Sequence, residues 1–146
     1  MAAENGLNTG LLLFIPYRAL EDRVFAALAE AGYDDFTPAQ ARVMQRIGPH
    51  GTRLTDLAAQ AQITKQTAGF LVDQLEKTGY VRRLPDPTDK RARLVCVAEK
   101  AWAAKRVADA VVAEVEQEWQ SHLGARRMKH LREALTMLRE ITDPWA

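Results

Sequence analysis

The sequence is poor in the residues that covalent and metal chemistry needs. One cysteine, Cys96, stands among 146 residues, which excludes an internal disulfide and a cysteine-rich zinc site. The three histidines, His50, His122 and His130, are widely spaced and near no cysteine or paired carboxylate. A metalloenzyme or a Ser-His-Asp hydrolase therefore has almost nothing in the sequence to stand on. No phosphate-binding glycine loop or metal-ligand spacing is present either, so the reading is not an enzyme, with no cofactor and no metal. Long apolar runs are also missing. The longest stretch of large aliphatic and aromatic residues is Leu11–Ile15, against the roughly 20 residues that span a bilayer. Glu4, and no Lys or Arg, precedes that stretch, which argues against a secretory leader. A chain with no membrane segment in the cytoplasm is the expectation.

Hydrophobic residues make up 47% and charged residues 27%, enough apolar surface for a packed core and inconsistent with a disordered chain. The net charge of +1 hides an uneven distribution. Residues 82–106 hold eight Lys and Arg against three acids, a local charge of +5, which leaves −4 for the rest. Residues 107–123 carry four acids and no Lys or Arg. A basic face of that kind is what meets a phosphate backbone.

Leu13, Tyr17, Leu20, Val24, Leu28 and Ala31 repeat at helical spacing up to Gly32. Pro16 is expected to kink that helix or delay its start. Thr37-Pro38 reads as a cap and first turn of a helix to about Ile47, ended by Gly48-Pro49-His50-Gly51. A short helix over Leu54–Gln60 follows. Thr64 then caps a longer one with Ala68, Leu71, Val72 and Leu75 inward. After Gly79 the period falls to 2 in Tyr80–Leu84 and again in Arg91–Val97, two strands joined by a polar loop over Pro85–Lys90. Two further helices are expected, one from Glu99 to about His122 and one carrying Met128, Leu131, Leu135 and Leu138. The fold class is mainly α with a small β-hairpin wing: a winged helix-turn-helix over 37–98, with helices at 8–32 and 99–142. Apolar stripes on both ends, Leu13, Leu131, Leu135 and Leu138 among them, suit a homodimer.

Two helices joined by a three-residue turn form a helix-turn-helix, and a basic hairpin behind them makes a wing. The major groove admits one helix, whose first turn reaches base edges. On the Thr64 helix, Lys65, Gln66, Thr67, Gly69, Phe70, Asp73 and Gln74 are left outward, and Thr64 and Thr67 can donate to phosphates. Double-stranded DNA is therefore the expected partner; a protein–protein module is the alternative, disfavoured by the charge of the wing.

Taken in order, Gly51-Thr52-Arg53-Leu54-Thr55-Asp56-Leu57-Ala58, Thr64-Lys65-Gln66-Thr67, Leu71-Val72-Asp73-Gln74-Leu75-Glu76-Lys77-Thr78-Gly79-Tyr80-Val81 and Pro85-Asp86-Pro87-Thr88-Asp89-Lys90-Arg91-Ala92-Arg93-Leu94-Val95 resemble the MarR (multiple antibiotic resistance regulator) family along the whole chain. The resemblance implies a dimeric winged-helix transcription factor, usually a repressor. Such factors act on a pseudo-palindromic operator and often respond to a small aromatic or anionic effector. It implies that Thr64, Lys65, Gln66 and Thr67 start the recognition helix and that Lys90 and Arg91, with Arg93 beside them, form the wing's contact. Asp89 matches the acid that holds a neighbouring Arg in the wing. Gly69-Phe70 departs from the family, which often has a polar pair there. A helical glycine suggests close approach to the backbone, and Phe70 either touches a thymine methyl or packs on a neighbouring helix. Pro16, Tyr17, Leu20 and Met44 either line an effector pocket or pack the core. Cys96 reads as a small buried hydrophobe, with a redox-sensing regulator as the alternative.

Overall fold

The computed structural model describes residues 6–145; Glu4 lies outside them. The chain divides into two compact units, one holding residues up to Asp34 with Arg106–His130, the other Asp35–Lys105 with residues from Leu131 onward.

In the first unit, α1 (Thr9–Glu30) is capped by Asn8, whose side chain accepts the Leu11 N–H at 2.8 Å. The helix runs through Pro16, so the expected delay does not occur. Proline removes the bond to the Leu12 carbonyl, but Leu12 is exposed and water can take the bond's place. Leu11 to Ile15 are all exposed; five consecutive apolar residues at 100° per residue surround the helix instead of striping one face. α5 (Glu99–Leu123) enters this unit at Arg106 and α6 (Ala125–Thr142) begins in it. Leu28, Val115 and Met128 are buried. Arg23 of α1 pairs with Glu118 and, at 3.7 Å, with Glu114 of α5.

The second unit contains α2 (Pro38–Met44), β1 (Thr52–Arg53), α3 (Leu54–Ala61), α4 (Lys65–Lys77), β2 (Val81–Asp86) and β3 (Asp89–Val97). Thr37 and Gln40 form a reciprocal capping box at the start of α2, satisfying two orphan N–H groups. Val43, Leu57, Val72, Leu75, Tyr80, Val81 and Val95 are its fully buried core. The hairpin acquires a third strand: the order is β1-β3-β2, all antiparallel, with Thr52 opposite Val95 and Arg53 opposite Leu94. Two residues are too short for a period-2 pattern, which is why β1 escapes the sequence. Gly51 admits β1 to the sheet. It has φ +89°, and a Cβ there would stand 2.7 Å from the Cys96 sulfur and 2.9 Å from Leu94 Cβ, so both backbone and space demand glycine.

The connection between β2 and β3 is tighter than the expected six-residue loop. Only Pro87 and Thr88 turn, because Asp86 pairs with Asp89. The register jumps from Pro85↔Arg93 to Asp86↔Asp89, so Lys90, Arg91 and Ala92 of β3 face no residue of β2. The extra residues are thereby put into a bulge near the tip.

Candidate nucleic-acid interface

The turn between α3 and α4 is made by Gln62, Ile63 and Thr64. Gln62 takes the left-handed conformation at φ 58°, and the Ile63 N–H closes on the Ala58 carbonyl at 3.0 Å. Thr64 caps α4: its Oγ1 accepts the Thr67 N–H at 3.1 Å and donates to Thr67 Oγ1 at 2.9 Å. Ala68, Val72 and Leu75 are buried, which leaves Thr64, Lys65, Gln66, Thr67 and Phe70 exposed. Phe70, at 61% exposed, does not pack on a neighbouring helix. A shallow groove of about 560 Å³ runs along this face between Leu54, Lys65, Gln66, Gly69, Phe70 and Asp73.

Gln74 stands apart from that set. It is half-buried and its Oε1 accepts from Nε2 of buried Gln40 at 2.8 Å, so its side chain joins α4 to α2 instead of projecting outward as the helical pattern suggested.

On the wing, Lys90, Arg91 and Arg93 are exposed. Two aspartates hold this segment. Asp89 Oδ1 accepts the Arg91 N–H at 2.9 Å, and its other oxygen is 4.0 Å from Arg53 Nη2. Asp86 does more. One oxygen takes Arg53 Nε at 2.8 Å and Nη2 at 2.7 Å, and the other takes the Thr88 N–H at 2.8 Å and its hydroxyl at 2.7 Å. Asp86 thus makes more bonds than Asp89, and the arginine side chain it holds is that of Arg53 on β1, not Arg91 or Arg93. The Thr88 bonds first and the Arg53 guanidinium second bring the Asp86 carboxyl down to about 2. Sequence reasoning missed Arg53 and Asp86. The signal was present in Asp86-Pro87-Thr88, an aspartate two residues before a backbone N–H it can accept.

The basic segment read from composition is not all one surface. Arg83 is spent on Asp73 at 2.7 Å and Glu76 at 2.9 Å. Lys100 donates to Asp35 at 2.7 Å and to the Thr78 carbonyl at 2.8 Å. Lys100 and the Tyr80 hydroxyl together hold the Asp35 carboxyl below the usual range. Arg83 in turn covers two carboxylates of α4.

The remaining residues singled out from sequence are distributed as follows. Pro16 and Tyr17 are exposed, with the Tyr17 hydroxyl donating to Glu21 at 2.9 Å. Leu20 is half-buried in the first unit, as is Met44 in the second. Leu13, Leu135 and Leu138 are exposed and Leu131 is half-buried; Met137 and Ile141 add to the exposed apolar surface of α6. Cys96 is half-buried, its sulfur 3.8 Å from the Leu94 carbonyl oxygen. Among the described residues no three His, Cys, Asp or Glu side chains gather to hold a metal, and no helix is long and apolar enough to cross a membrane.

The model of the MarR family matches residues 34–92. No curated protein sequence matches the chain. Solved structures match nearly its full length. The transcriptional repressor CouR, bound to a 23-mer DNA duplex, shares 23% identity over 94% of this chain and 96% of that one, with a TM-score of 0.72. The transcriptional regulator PA4135 shares 25% identity over 92% and 98%, with a TM-score of 0.68. The MarR-family protein Rv2887 of Mycobacterium tuberculosis, in complex with salicylic acid, shares 24% over 92% and 98%, with a TM-score of 0.63. The family model thus lies on the segment from α2 through the helix-turn-helix into the wing, and over nearly its full length the chain shares the fold of these regulators.

Proposed function

We propose that the protein is a cytoplasmic transcriptional regulator, a repressor acting as a homodimer on a pseudo-palindromic DNA operator, and not an enzyme. α4 enters the major groove with Lys65, Gln66 and Thr67 foremost, and the wing lays Lys90, Arg91 and Arg93 against the neighbouring backbone or minor groove. The observation that carries this reading is the exposed polar first turn of α4 together with the bulged, exposed cations of the wing, all in one compact unit. Among the described residues Lys90, Arg91 and Arg93 have no carboxylate partner, so their charge is available to phosphate. The dimer is supported by α1, apolar on all sides over Leu11–Ile15 and exposed there. In water such a helix needs a cover. Dimerisation helices at 8–32 and 99–142 flanking a DNA-binding domain at 37–98 are part of the proposal.

An effector is proposed as well: a small aromatic or anionic compound, by likeness to the relative solved with salicylic acid. In-vitro selection of duplex sites, followed by fluorescence anisotropy, tests the DNA reading. An enriched inverted repeat bound at least about a thousand-fold more tightly than a scrambled duplex is expected. Equal affinity for both duplexes overturns sequence-specific regulation, and salicylate that neither raises the melting temperature nor releases the operator overturns the effector.

A further inference from the structure

We infer that the apolar notch formed by Leu54, Gly69 and Phe70 reads the C5-methyl group of a thymine in each operator half-site, an inference that rests on the DNA-binding reading above. Phe70 projects from α4 with most of its surface in solvent, although a large aromatic ordinarily gains by burial. Beside it, Gly69 is a residue that disfavours a helix interior relative to alanine. Nothing among the described residues requires it: a Cβ there would meet only Leu54 Cδ2, at 3.6 Å, an ordinary contact. The glycine therefore leaves room for something from outside.

The surroundings specify the occupant. Leu54, Gly69 and Phe70 supply apolar walls to the groove, with Lys65 and Gln66 at one end and Asp73 at the other. Asp73 is held by Arg83 at 2.7 Å, so the acid in the groove does not meet DNA as an unpaired charge. Lys65 makes the electrostatics favourable to a polyanion. Phosphate, sugar and base amides have no use for apolar walls. In the major groove the apolar group on offer is the thymine methyl. Gln66 lies three residues before Gly69 and four before Phe70, on the same helix face. It can thus pair with an adenine N6/N7 edge while the notch takes a thymine methyl.

The test uses the full-length wild-type protein and its selected operator, replacing each thymine in turn by deoxyuridine. This removes the methyl and keeps the base pair. One thymine per half-site should be sensitive, each replacement weakening binding about four-fold, the worth of one buried methyl. Phe70→Ala should bind the unmodified operator more weakly and be indifferent to that replacement. Gly69→Ala should raise the melting temperature by about 2–5 °C while weakening the operator complex, since it fills the notch. Wild type indifferent to every deoxyuridine, Phe70→Ala as sensitive as wild type, or Gly69→Ala binding undiminished would each overturn the notch alone. A protein that selects no operator would overturn the DNA-binding reading and the notch with it.

Discussion

Arg53 and Asp86, thirty-three residues apart in sequence, fasten the wing to the strand that precedes the helix-turn-helix. Two guanidinium nitrogens reach one carboxylate oxygen at 2.8 and 2.7 Å, and Thr88 occupies the other. At 6% exposure the carboxylate stays charged because four donors surround it. One ionised group thus ties the wing to β1.

That group makes the wing pH-sensitive. Asp86 titrates near 2 when folded against an ordinary 3.8. A depressed carboxylate contributes stability above its unfolded value and loses it as pH falls through the folded one, so the fastening weakens between about pH 4 and pH 2. The Thr88 amide, which donates to Asp86, should lose hydrogen-exchange protection over that interval, and Asp86→Asn should remove the transition. At neutral pH, Asp86→Ala should lower operator affinity as far as Arg91→Ala does, and Asp89→Ala should lower it less. The reverse order, read by anisotropy, would return the main role to Asp89.

Gln74 should behave as a structural residue. Its loss strands the Nε2 of buried Gln40, so Gln74→Ala should destabilise the fold by about 1–3 kcal/mol in urea titration. The ratio of operator to scrambled-duplex affinity should stay unchanged. A collapse of that ratio with unaltered stability would make Gln74 a base reader.

The exposed leucines of α6 should be buried in the proposed dimer. Leu135→Glu with Leu138→Glu should give particles of about 16.3 kDa, the mass of one chain, by light scattering at micromolar concentration, and should abolish operator binding. Wild type should scatter at twice that mass. Wild-type particles of single-chain mass would contradict the dimer.

Much of this was legible because the signals are local. Caps at Thr37 and Thr64, inward spacing at Ala68, Val72 and Leu75, and turn formers at Pro87 and Thr88 act within a few residues, so periodicity and capping find them. The features that escaped depend on distant partners. β1 exists because β3 offers Leu94 and Val95 to pair with. Arg53 finds Asp86, and Gln40 finds Gln74, only once the fold brings them together. Arg83 and Lys100 look like surface charge in the sequence and prove to be internal fasteners. Phe70 had two readings until its exposure removed the packed one.

The division of labour between α4 and wing gives the last prediction. In the proposed reading Lys90 and Arg91, which oppose no residue of β2, contribute charge, whereas Gln66, in the exposed first turn of α4, contributes hydrogen bonds. Arg91→Ala should weaken binding to operator and scrambled duplexes alike and lower the salt slope by about 1 per half-site, because each lost phosphate contact releases one fewer counterion. Gln66→Ala removes no charge. It should cost about 1–3 kcal/mol per half-site on the operator and leave the scrambled duplex and the salt slope nearly unchanged. Anisotropy titrations of both variants on both duplexes across a salt series separate the two effects. Should Gln66→Ala weaken both duplexes equally while Arg91→Ala affects the operator alone, base reading belongs to the wing and backbone anchoring to α4.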